Sequence, residues 1–290
     1  MEIKIFDREK KNYYLEKTFR DKELTFLYDS FLGRTLLNLL VKRRWFSNLY
    51  SITNKSKKSC AKIQPFINEY QIDMSDYKQQ DYLSFNSFFT RKIITDKRPI
   101  ALLENVLISP ADAKLSVYPI NEQLALNIKN SLYSVNSLLQ DDTLSNEFKN
   151  GLCLVFRLTV DDYHRYCFID NGKVIKQKSI LGCLHTVGPI SAQKNNVYSE
   201  NNREYVVIET DNFSKVIQME VGALLVGKIV NYEVSSFSKG QEKGYFEFGG
   251  STIILLFKED TVRMDSDIMK CSSESIEVRV KFGEKIGEKK

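Results

Sequence analysis

The chain has 290 residues, 42% of them hydrophobic and 27% charged, which is ordinary usage for a folded globular protein. Thirteen glycines and five prolines are too few for a collagen-like or low-complexity chain. The formal net charge of +5 identifies no partner by itself. Residues 1–60 carry 14 lysines and arginines against 7 acidic residues, so the whole positive balance lies at the N-terminus.

Residues 1–100 are predicted to be mainly helical, because leucine and phenylalanine recur at near-helical spacing between Leu24 and Val41. The segment Leu36–Lys58 combines leucines with basic residues and one tryptophan. This composition fits a helix on an anionic membrane surface, a nucleic-acid patch, or a partly buried helix with a solvated basic edge. On the residues of this segment alone, all three interpretations stay open.

The cysteines and the apolar runs bear on the cellular compartment. The five cysteines are widely spaced without a CxxC pair, so a reducing compartment is expected, without a zinc site or disulfide framework. The N-terminus is too charged for a secretory signal. The longest apolar runs, such as Ile253–Phe257, are far shorter than the ~18 residues of a membrane-spanning helix.

From about Val106 the sequence is rich in β-branched and aromatic residues, in short runs separated by Gly, Asn, Asp or Ser. The runs are Leu152–Leu158, Tyr205–Glu209, Val216–Val221, Leu224–Val230, Tyr245–Phe248 and Thr252–Phe257. This spacing predicts a many-stranded antiparallel sheet rather than alternating strands and helices. The expected fold class is therefore α+β, with a helical N-terminal region, residues 1–100, followed by a β-rich, mainly antiparallel core, residues 101–290.

Four features have the residue types of a reactive site, and each also has an ordinary structural explanation. The two histidines, His164 and His185, are more often structural than catalytic when taken singly. Asp112 follows a proline and can cap a turn through its own side chain. The segment Gly249–Thr252 interrupts two strand-prone runs, as a Gly-Gly hairpin or bulge would.

Together and in order, these residues resemble the phosphatidylserine decarboxylase family. The matching blocks are Phe85–Lys92, Ser109–Asp112, Tyr133–Leu139, Asp162–Arg165, Gly222–Ile229 and Lys243–Thr252. Six ordered blocks over roughly 200 residues are a specific match, unlike a single short motif. The first 80 residues resemble the family only in character.

The resemblance implies that the chain cuts its own Gly250–Ser251 bond and leaves residue 251 as a pyruvoyl group, the covalent cofactor of the family. The products would be a β chain, residues 1–250, and an α chain, residues 251–290, that remain together as a heterodimer or a higher oligomer. Asp112, His164 and Ser251 match the family's self-cleaving triad.

The chemistry that the resemblance implies explains these residue types. Ser251 Oγ would attack the preceding carbonyl, His164 would accept its proton, and Asp112 would orient the imidazole. The amine of phosphatidylserine would then form a Schiff base with the pyruvoyl group, and loss of CO2 would give phosphatidylethanolamine. His164 is the expected proton donor to the Cα carbanion, and no metal is expected.

Three positions depart from the family pattern. Ala113 stands where the family usually has glycine, so the turn there must accept a Cβ atom. Cys167 stands where many members have a second histidine, and His185 stands where phenylalanine is common. His185 therefore either supplies a proton donor lost at Cys167 or packs in a core or pocket wall.

The resemblance favours the membrane-surface interpretation of Leu36–Lys58, because an enzyme acting on a bilayer lipid must reach the headgroup. It implies a peripheral location on the cytoplasmic side of the cell membrane and no nucleic-acid partner.

Two rival functions remain. One is a Ser-His-Asp hydrolase that uses Asp112, His164 and Ser251 without cutting itself, although the serine lacks the G-x-S-x-G pattern. The other is a non-catalytic membrane-binding β-domain. Both rivals predict an uncut chain.

Overall fold

The structure is a computed structural model that describes residues 2–17, 26–28, 30–36, 51–128, 131–183, 185, 197–223, 228–249 and 251–290. Its strands are β1 (Glu2–Asp7), β2 (Asn12–Lys17), β3 (Val106–Ile108), β4 (Ala113–Pro119), β5 (Ala125–Ile128), β6 (Ser131–Ser134), β7 (Leu152–Leu158), β8 (Arg165–Cys167), β9 (Gly172–Ile180), β10 (Arg203–Thr210), β11 (Ser214–Gly222), β12 (Ile229–Asn231), β13 (Ser236–Phe237), β14 (Glu242–Phe246), β15 (Ser251–Phe257), β16 (Val262–Met264), β17 (Glu277–Val280) and β18 (Lys285–Lys289). The α-helices with defined bounds are Phe31–Leu36, Ile63–Tyr70, Phe85–Phe89, Val135–Leu139, Asp142–Asn146, Val197–Glu200 and Ser266–Ser273. Short 3-10 helices span Lys57–Lys62, Met74–Asp76 and Thr95–Lys97.

Ten of the strands form one sheet in the order β13-β9-β10-β11-β15-β7-β4-β17-β1-β2. Neighbouring strands are antiparallel except β1 and β17, which are parallel. The apolar run in β15 is typical of a strand covered on both faces, and every residue of β15 is buried. Because β15 pairs with β11 on one side and β7 on the other, its first residue, Ser251, lies in the interior of the sheet.

Three smaller sheets pack around the large one, in the orders β12-β14-β8, β16-β18-β3 and β5-β6. The first of them positions a histidine. The backbone N–H of Phe246 in β14 donates to the carbonyl of His164, immediately before β8, at 2.9 Å. The small sheet therefore fixes the backbone of His164 independently of its side chain.

An aromatic cluster joins the N-terminal half of the chain to the segments that lead into Ser251 and His164. Its buried members are Phe66, Phe85, Phe88, Phe89, Val160 and Phe248. The helix Phe85–Phe89 begins with a capping box in which Ser84 and Ser87 bond each other reciprocally. The ring of Phe248, three residues before Ser251, packs edge-on against Phe85 at 5.0 Å between centroids. The cluster therefore anchors the chain on the N-terminal side of the serine.

The α+β class predicted from the sequence is confirmed. Strand β7 spans the predicted run Leu152–Leu158, and β15 contains the predicted run Thr252–Phe257. Residues 2–17 differ from the helical prediction, since they form the hairpin β1–β2, which joins the large sheet through β17. The alternation of polar and apolar residues from Glu2 to Ile5 is a strand pattern, and it explains this difference.

The basic part of the predicted membrane-surface segment, residues 37–50 with Lys42, Arg43 and Arg44, lies outside the described residues. On the described part of the N-terminal region, Phe31 and Leu32 are 77% and 72% exposed and Ile52 is 65% exposed. Within the described residues there is no helix long and apolar enough to span a bilayer. The division of the chain at residue 100 stays a prediction.

Candidate active site

Ser251 is fully buried and meets a histidine. Its Oγ lies 3.5 Å from Nδ1 of His164, a long contact of the kind that catalytic pairs often show before substrate binds. Gly249 has a φ of 140°, a conformation that residues with a Cβ atom rarely adopt, which explains a glycine there. Gly250, the other residue of the predicted scissile bond, lies outside the described residues.

The other ring nitrogen of His164 determines which tautomer is present. Nε2 lies 3.0 Å from the carbonyl oxygen of Thr159, and because a carbonyl can only accept, Nε2 carries the hydrogen and donates. Nδ1 therefore has a free lone pair directed at the Ser251 hydroxyl. The imidazole is thus in the correct tautomer to accept the serine proton.

The surroundings of His164 disfavour its charged form. The ring is fully buried and stacks on Phe89 with centroids 4.1 Å apart. This burial, together with the nearby positive charge of Arg91, lowers the pKa of His164 to about 3. His164 is therefore neutral at any physiological pH, ready to accept a proton but weakly basic.

Asp112, the expected third member of the triad, does not hydrogen-bond His164 in the described residues. Its carboxylate accepts from Arg98 Nε at 2.9 Å and Arg98 Nη2 at 2.7 Å, and from the backbone N–H of Phe282 at 2.8 Å. The Thr159 carbonyl holds the imidazole instead. In this geometry Asp112 makes no direct contact with the ring, and its place in the triad stays a prediction. The sequence could not indicate the Thr159 contact, because the acceptor is a backbone atom.

A buried ion pair between Lys114 and Asp162 lies behind the Thr159 turn, and it was not predicted from the sequence. Lys114 donates to both carboxylate oxygens of Asp162, at 2.8 and 2.9 Å, and to Thr159 Oγ1. Asp162 in turn accepts from the backbone N–H of Thr159 at 2.7 Å. The pair therefore fixes the turn whose carbonyl holds His164. Asp162 belongs to a block that resembles the family and lies two residues before His164. This position was the sequence feature that could have indicated a role for Asp162 near the histidine.

Asp162 titrates in an unusual range. Complete burial raises its pKa to about 6, although the charge of Lys114 acts in the opposite direction. The ionisation of the group behind the histidine therefore changes within an experimentally accessible pH range.

The surroundings of Cys167 and His185 do not support the idea that His185 supplies a proton donor lost at Cys167. Burial raises the pKa of the Cys167 thiol, so it is neutral, and its backbone N–H bonds the Pro110 carbonyl at 2.9 Å. His185 is buried, with Nδ1 3.3 Å from the hydroxyl of Tyr28 and Nε2 3.6 Å from a carboxylate oxygen of Glu200. No hydrogen bond joins His185 to Ser251 among the described residues, which favours the packing interpretation.

The arrangement as a whole is a buried hydroxyl facing a neutral imidazole whose other nitrogen is already bonded. It can carry out nucleophilic attack by serine with histidine as general base. In the part of the chain that the structure describes, no group of three or more His, Cys, Asp or Glu side chains is arranged to hold a metal ion.

Comparison with known proteins identifies the class. The family model of phosphatidylserine decarboxylase matches residues 85–288. The chain is 58% identical over 288 residues to phosphatidylserine decarboxylase proenzyme 2 of Clostridium acetobutylicum, covering 99% of both chains. It is 42% identical over 294 residues to the proenzyme of Clostridium botulinum strain Kyoto, covering 99% of this chain and 100% of the relative. It is 41% identical over 293 residues to the proenzyme of Clostridium tetani, covering 99% and 98%.

These relationships and the β-rich fold define a decarboxylase, an enzyme of the carboxy-lyase class. The chain belongs to the phosphatidylserine decarboxylase family. The three relatives are named as proenzymes.

Proposed function

We propose that the protein is a pyruvoyl-dependent phosphatidylserine decarboxylase that matures by cutting its own Gly250–Ser251 bond. The observation that carries this proposal is the Ser251 hydroxyl 3.5 Å from the unprotonated Nδ1 of His164. The names of the relatives support the substrate, phosphatidylserine, and the product would be phosphatidylethanolamine with CO2.

The proposed self-cleavage begins at the serine. Ser251 Oγ bonds to the carbonyl carbon of Gly250 while its proton passes to His164 Nδ1, and the C–N bond breaks as the residue 251 amine takes that proton. This exchange turns the peptide bond into an ester. Loss of the Cα proton of residue 251 expels the Gly250 carboxylate from Cβ. Water then converts the dehydroalanine to the ketone with release of ammonia.

The low basicity of His164 fits this sequence of steps. A histidine with a pKa of about 3 holds a proton only briefly, so it returns the proton to the leaving amine readily. Before the reaction the ring is neutral and needs no solvation by water, which is consistent with its complete burial against Phe89.

The residues present fit a keto group at position 251. The position is fully buried and its side chain faces His164 Nδ1, so a keto group formed there would be shielded from bulk water and would lie beside the imidazole. The pyruvoyl ketone, once formed, supplies the electron sink that loss of CO2 requires. We assign His164 the transfer to Cα of the headgroup of the proton that its Nδ1 would take up from the lipid ammonium group as that group becomes a free amine, because Nδ1 faces residue 251.

Asp112 enters the proposal as an anchor of the site. Its bonds to Arg98 and Phe282 tie the segment Ser109–Asp112 down, and the Pro110 carbonyl of that segment accepts from the backbone N–H of Cys167 in β8. Asp112 therefore supports the strand that follows His164 rather than the imidazole itself.

Intact mass measurement and trapping with borohydride test the decarboxylase proposal. We expect two chains, residues 1–250 and a 40-residue chain beginning at position 251, with the shorter one lacking its serine amine. Borohydride added together with phosphatidylserine should attach the lipid to the shorter chain only. A single uncut chain that retains Ser251 and shows hydrolase activity would support the hydrolase alternative. An uncut chain without any activity would support the membrane-binding domain.

We also propose that the decarboxylase acts as a peripheral protein on the cytoplasmic face of the cell membrane, with Leu36–Lys58 as the contact. The run between Phe31 and Cys60 contains seven basic residues and no acidic one. Apolar side chains of the preceding helix, Phe31 and Leu32, are strongly exposed. Both properties suit attachment to an anionic lipid surface.

Charge reversal tests the membrane contact. Replacing Lys42, Arg43 and Arg44 with glutamate should weaken binding to vesicles containing anionic lipid at least tenfold, since each surface charge contributes about 1 kcal/mol. High salt should weaken the parent chain similarly. The matched control reverses the exposed pair Lys289 and Lys290 and should bind as the parent does. Binding that is indifferent to salt and to the triple reversal contradicts an electrostatic contact.

A further inference from the structure

One carboxylate of the N-terminal hairpin, that of Glu16, lies in a charged cluster behind the candidate active site. The cluster also contains Lys114, Arg157 and Asp162. Glu16 of β2 lies with Oε1 3.3 Å from Lys114 Nζ and with Oε2 2.6 Å from Arg157 Nη2. Both cations are almost fully buried, at 2% and 5% side-chain exposure, so these contacts are weakly screened by water. Glu16 therefore bridges two buried cations that belong to β4 and β7.

From Glu16 a continuous chain of polar contacts reaches the nucleophile. Lys114 Nζ bonds Asp162 at 2.8 Å, and Asp162 accepts from the Thr159 backbone N–H at 2.7 Å. The Thr159 carbonyl accepts from His164 Nε2 at 3.0 Å, and His164 Nδ1 faces Ser251 Oγ at 3.5 Å. No step in this chain is longer than 3.5 Å.

The sheet order makes the Glu16 contact unexpected. Strand β2 is three positions from β4, with β17 and β1 between them, and a flat sheet would separate the two strands by about 14 Å. The sheet must therefore curl for the hairpin to bring Glu16 onto Lys114. The hairpin lies outside residues 85–288, the part matched by the family model.

We propose that Glu16 is a positioning residue for self-cleavage, which completes the charge balance around Lys114 and so holds Asp162, Thr159 and His164 in the arrangement that activates Ser251. This inference rests on the proposed function. The N-terminal hairpin then contributes to maturation although none of its atoms touches the reacting bond.

The charges around the chain determine the sign of the effect. Asp162 faces Lys114 of β4, Asp161 of its own turn and Arg279 of β17. Around Lys114 lie Glu16 and Tyr14 of β2 and Arg157 of β7, and Arg157 is also paired with Glu277 of β17. When Asp162 takes up a proton, near pH 6, the cluster gains positive charge and the transient imidazolium becomes less favourable. Self-cleavage should therefore slow as the pH falls through about 6.

His164 is directly affected by this balance, because Arg91 and Lys114 already lower its pKa while Asp161 acts in the opposite direction. Removing the negative charge of Glu16 strengthens the positive field, which slows proton transfer from Ser251. The same removal makes Asp162 easier to ionise, so the acid limb of the rate profile moves to lower pH.

The variant Glu16→Gln tests the proposal because glutamine keeps the size and polarity of the side chain without its charge. We expect self-cleavage of the freshly made precursor to be about tenfold slower on its plateau, with the acid limb about half a pH unit lower. The control Glu9→Gln removes a carboxylate from the same hairpin that pairs with Lys281 at the surface, and it should match the parent. Glu16→Asp, which keeps the charge, should retain the position of the acid limb.

A second measurement does not depend on cleavage. In chains carrying Ser251→Ala, carboxyl carbon resonances should report a lower pKa for Asp162 when Glu16→Gln is added, and an unchanged one when Glu9→Gln is added. A parent precursor that never cuts itself would contradict the proposed function. The resonance titration would still show whether the charge of Glu16 changes the pKa of Asp162.

Three results would overturn the inference about Glu16. One is a Glu16→Gln chain with the rate and pH profile of the parent. Another is a slower chain whose acid limb does not move, or one that fails to fold, because either result makes Glu16 a stabilising residue only. The third is an unchanged Asp162 titration in the Ser251→Ala background.

Discussion

Replacement of Ser251 by alanine is expected to leave a single chain of 33.7 kDa with no decarboxylase activity. Without Oγ there is no nucleophile to attack the Gly250 carbonyl and no side chain that can become the pyruvoyl group. The loss should be complete, since no other atom of β15 can supply the same group. Denaturing electrophoresis, intact mass and release of labelled CO2 measure these outcomes together.

A neighbouring hydroxyl provides the control for this prediction. Thr252 is as deeply buried as Ser251, and its Oγ1 has no hydrogen-bond partner among the described residues, so Thr252→Val removes a hydroxyl at little cost in stability. The Thr252→Val chain should fold, cut itself and decarboxylate. Two fragments appearing in the Ser251→Ala protein would refute the assignment of the nucleophile.

Replacement of His164 by alanine is expected to slow self-cleavage by about 10²–10⁴-fold, the range that a general base contributes. The precursor should persist at full length for hours or days in purified material. The reason is specific to the geometry, because Nδ1 of His164 is the base that faces the Ser251 hydroxyl. Time courses of the freshly made chain on denaturing gels give the rate directly.

The second histidine of the chain is the matched control. His185 is also buried, but it contacts Tyr28 and Glu200 rather than Ser251. His185→Ala should therefore mature at a rate close to that of the parent, with thermal stability as the property most affected. If His164→Ala cuts itself as fast as His185→Ala does, His164 is not the base.

The predictable part of the fold was the part with a strong local pattern. Strands β7 and β15 could be predicted because each is a short, mainly apolar run that contains β-branched and aromatic residues. The hairpin β1–β2 escaped prediction because its polar and apolar residues alternate over only a few positions in a highly charged segment. Its place beside β17 depends on a parallel pairing across more than 260 residues, which no local pattern records.

The candidate site divides in a similar way. His164 and Ser251 could be identified because they lie in blocks that together resemble the family, and the structure brings their side chains together. The partner of the imidazole could not, because the Thr159 carbonyl is a backbone group with no signature in the sequence. Asp112 shows the opposite situation, since a carboxylate of the expected type is present but accepts hydrogen bonds from Arg98, a partner that the sequence pattern did not indicate.

The strand order has a consequence for the resistance of the enzyme to irreversible unfolding. Of the strands after residue 250, β15 lies between β11 and β7, and β17 lies between β4 and β1. After the proposed cut before residue 251, the short fragment would therefore be interleaved with the long one, and two polypeptides would share one hydrogen-bonded sheet. Once heat or denaturant has dispersed them, reassembly becomes a second-order encounter that slows on dilution, unlike the refolding of the precursor. The lifetime of the proposed mature enzyme would therefore depend on the rate at which the shared sheet unfolds rather than on the rate at which the two fragments reassociate.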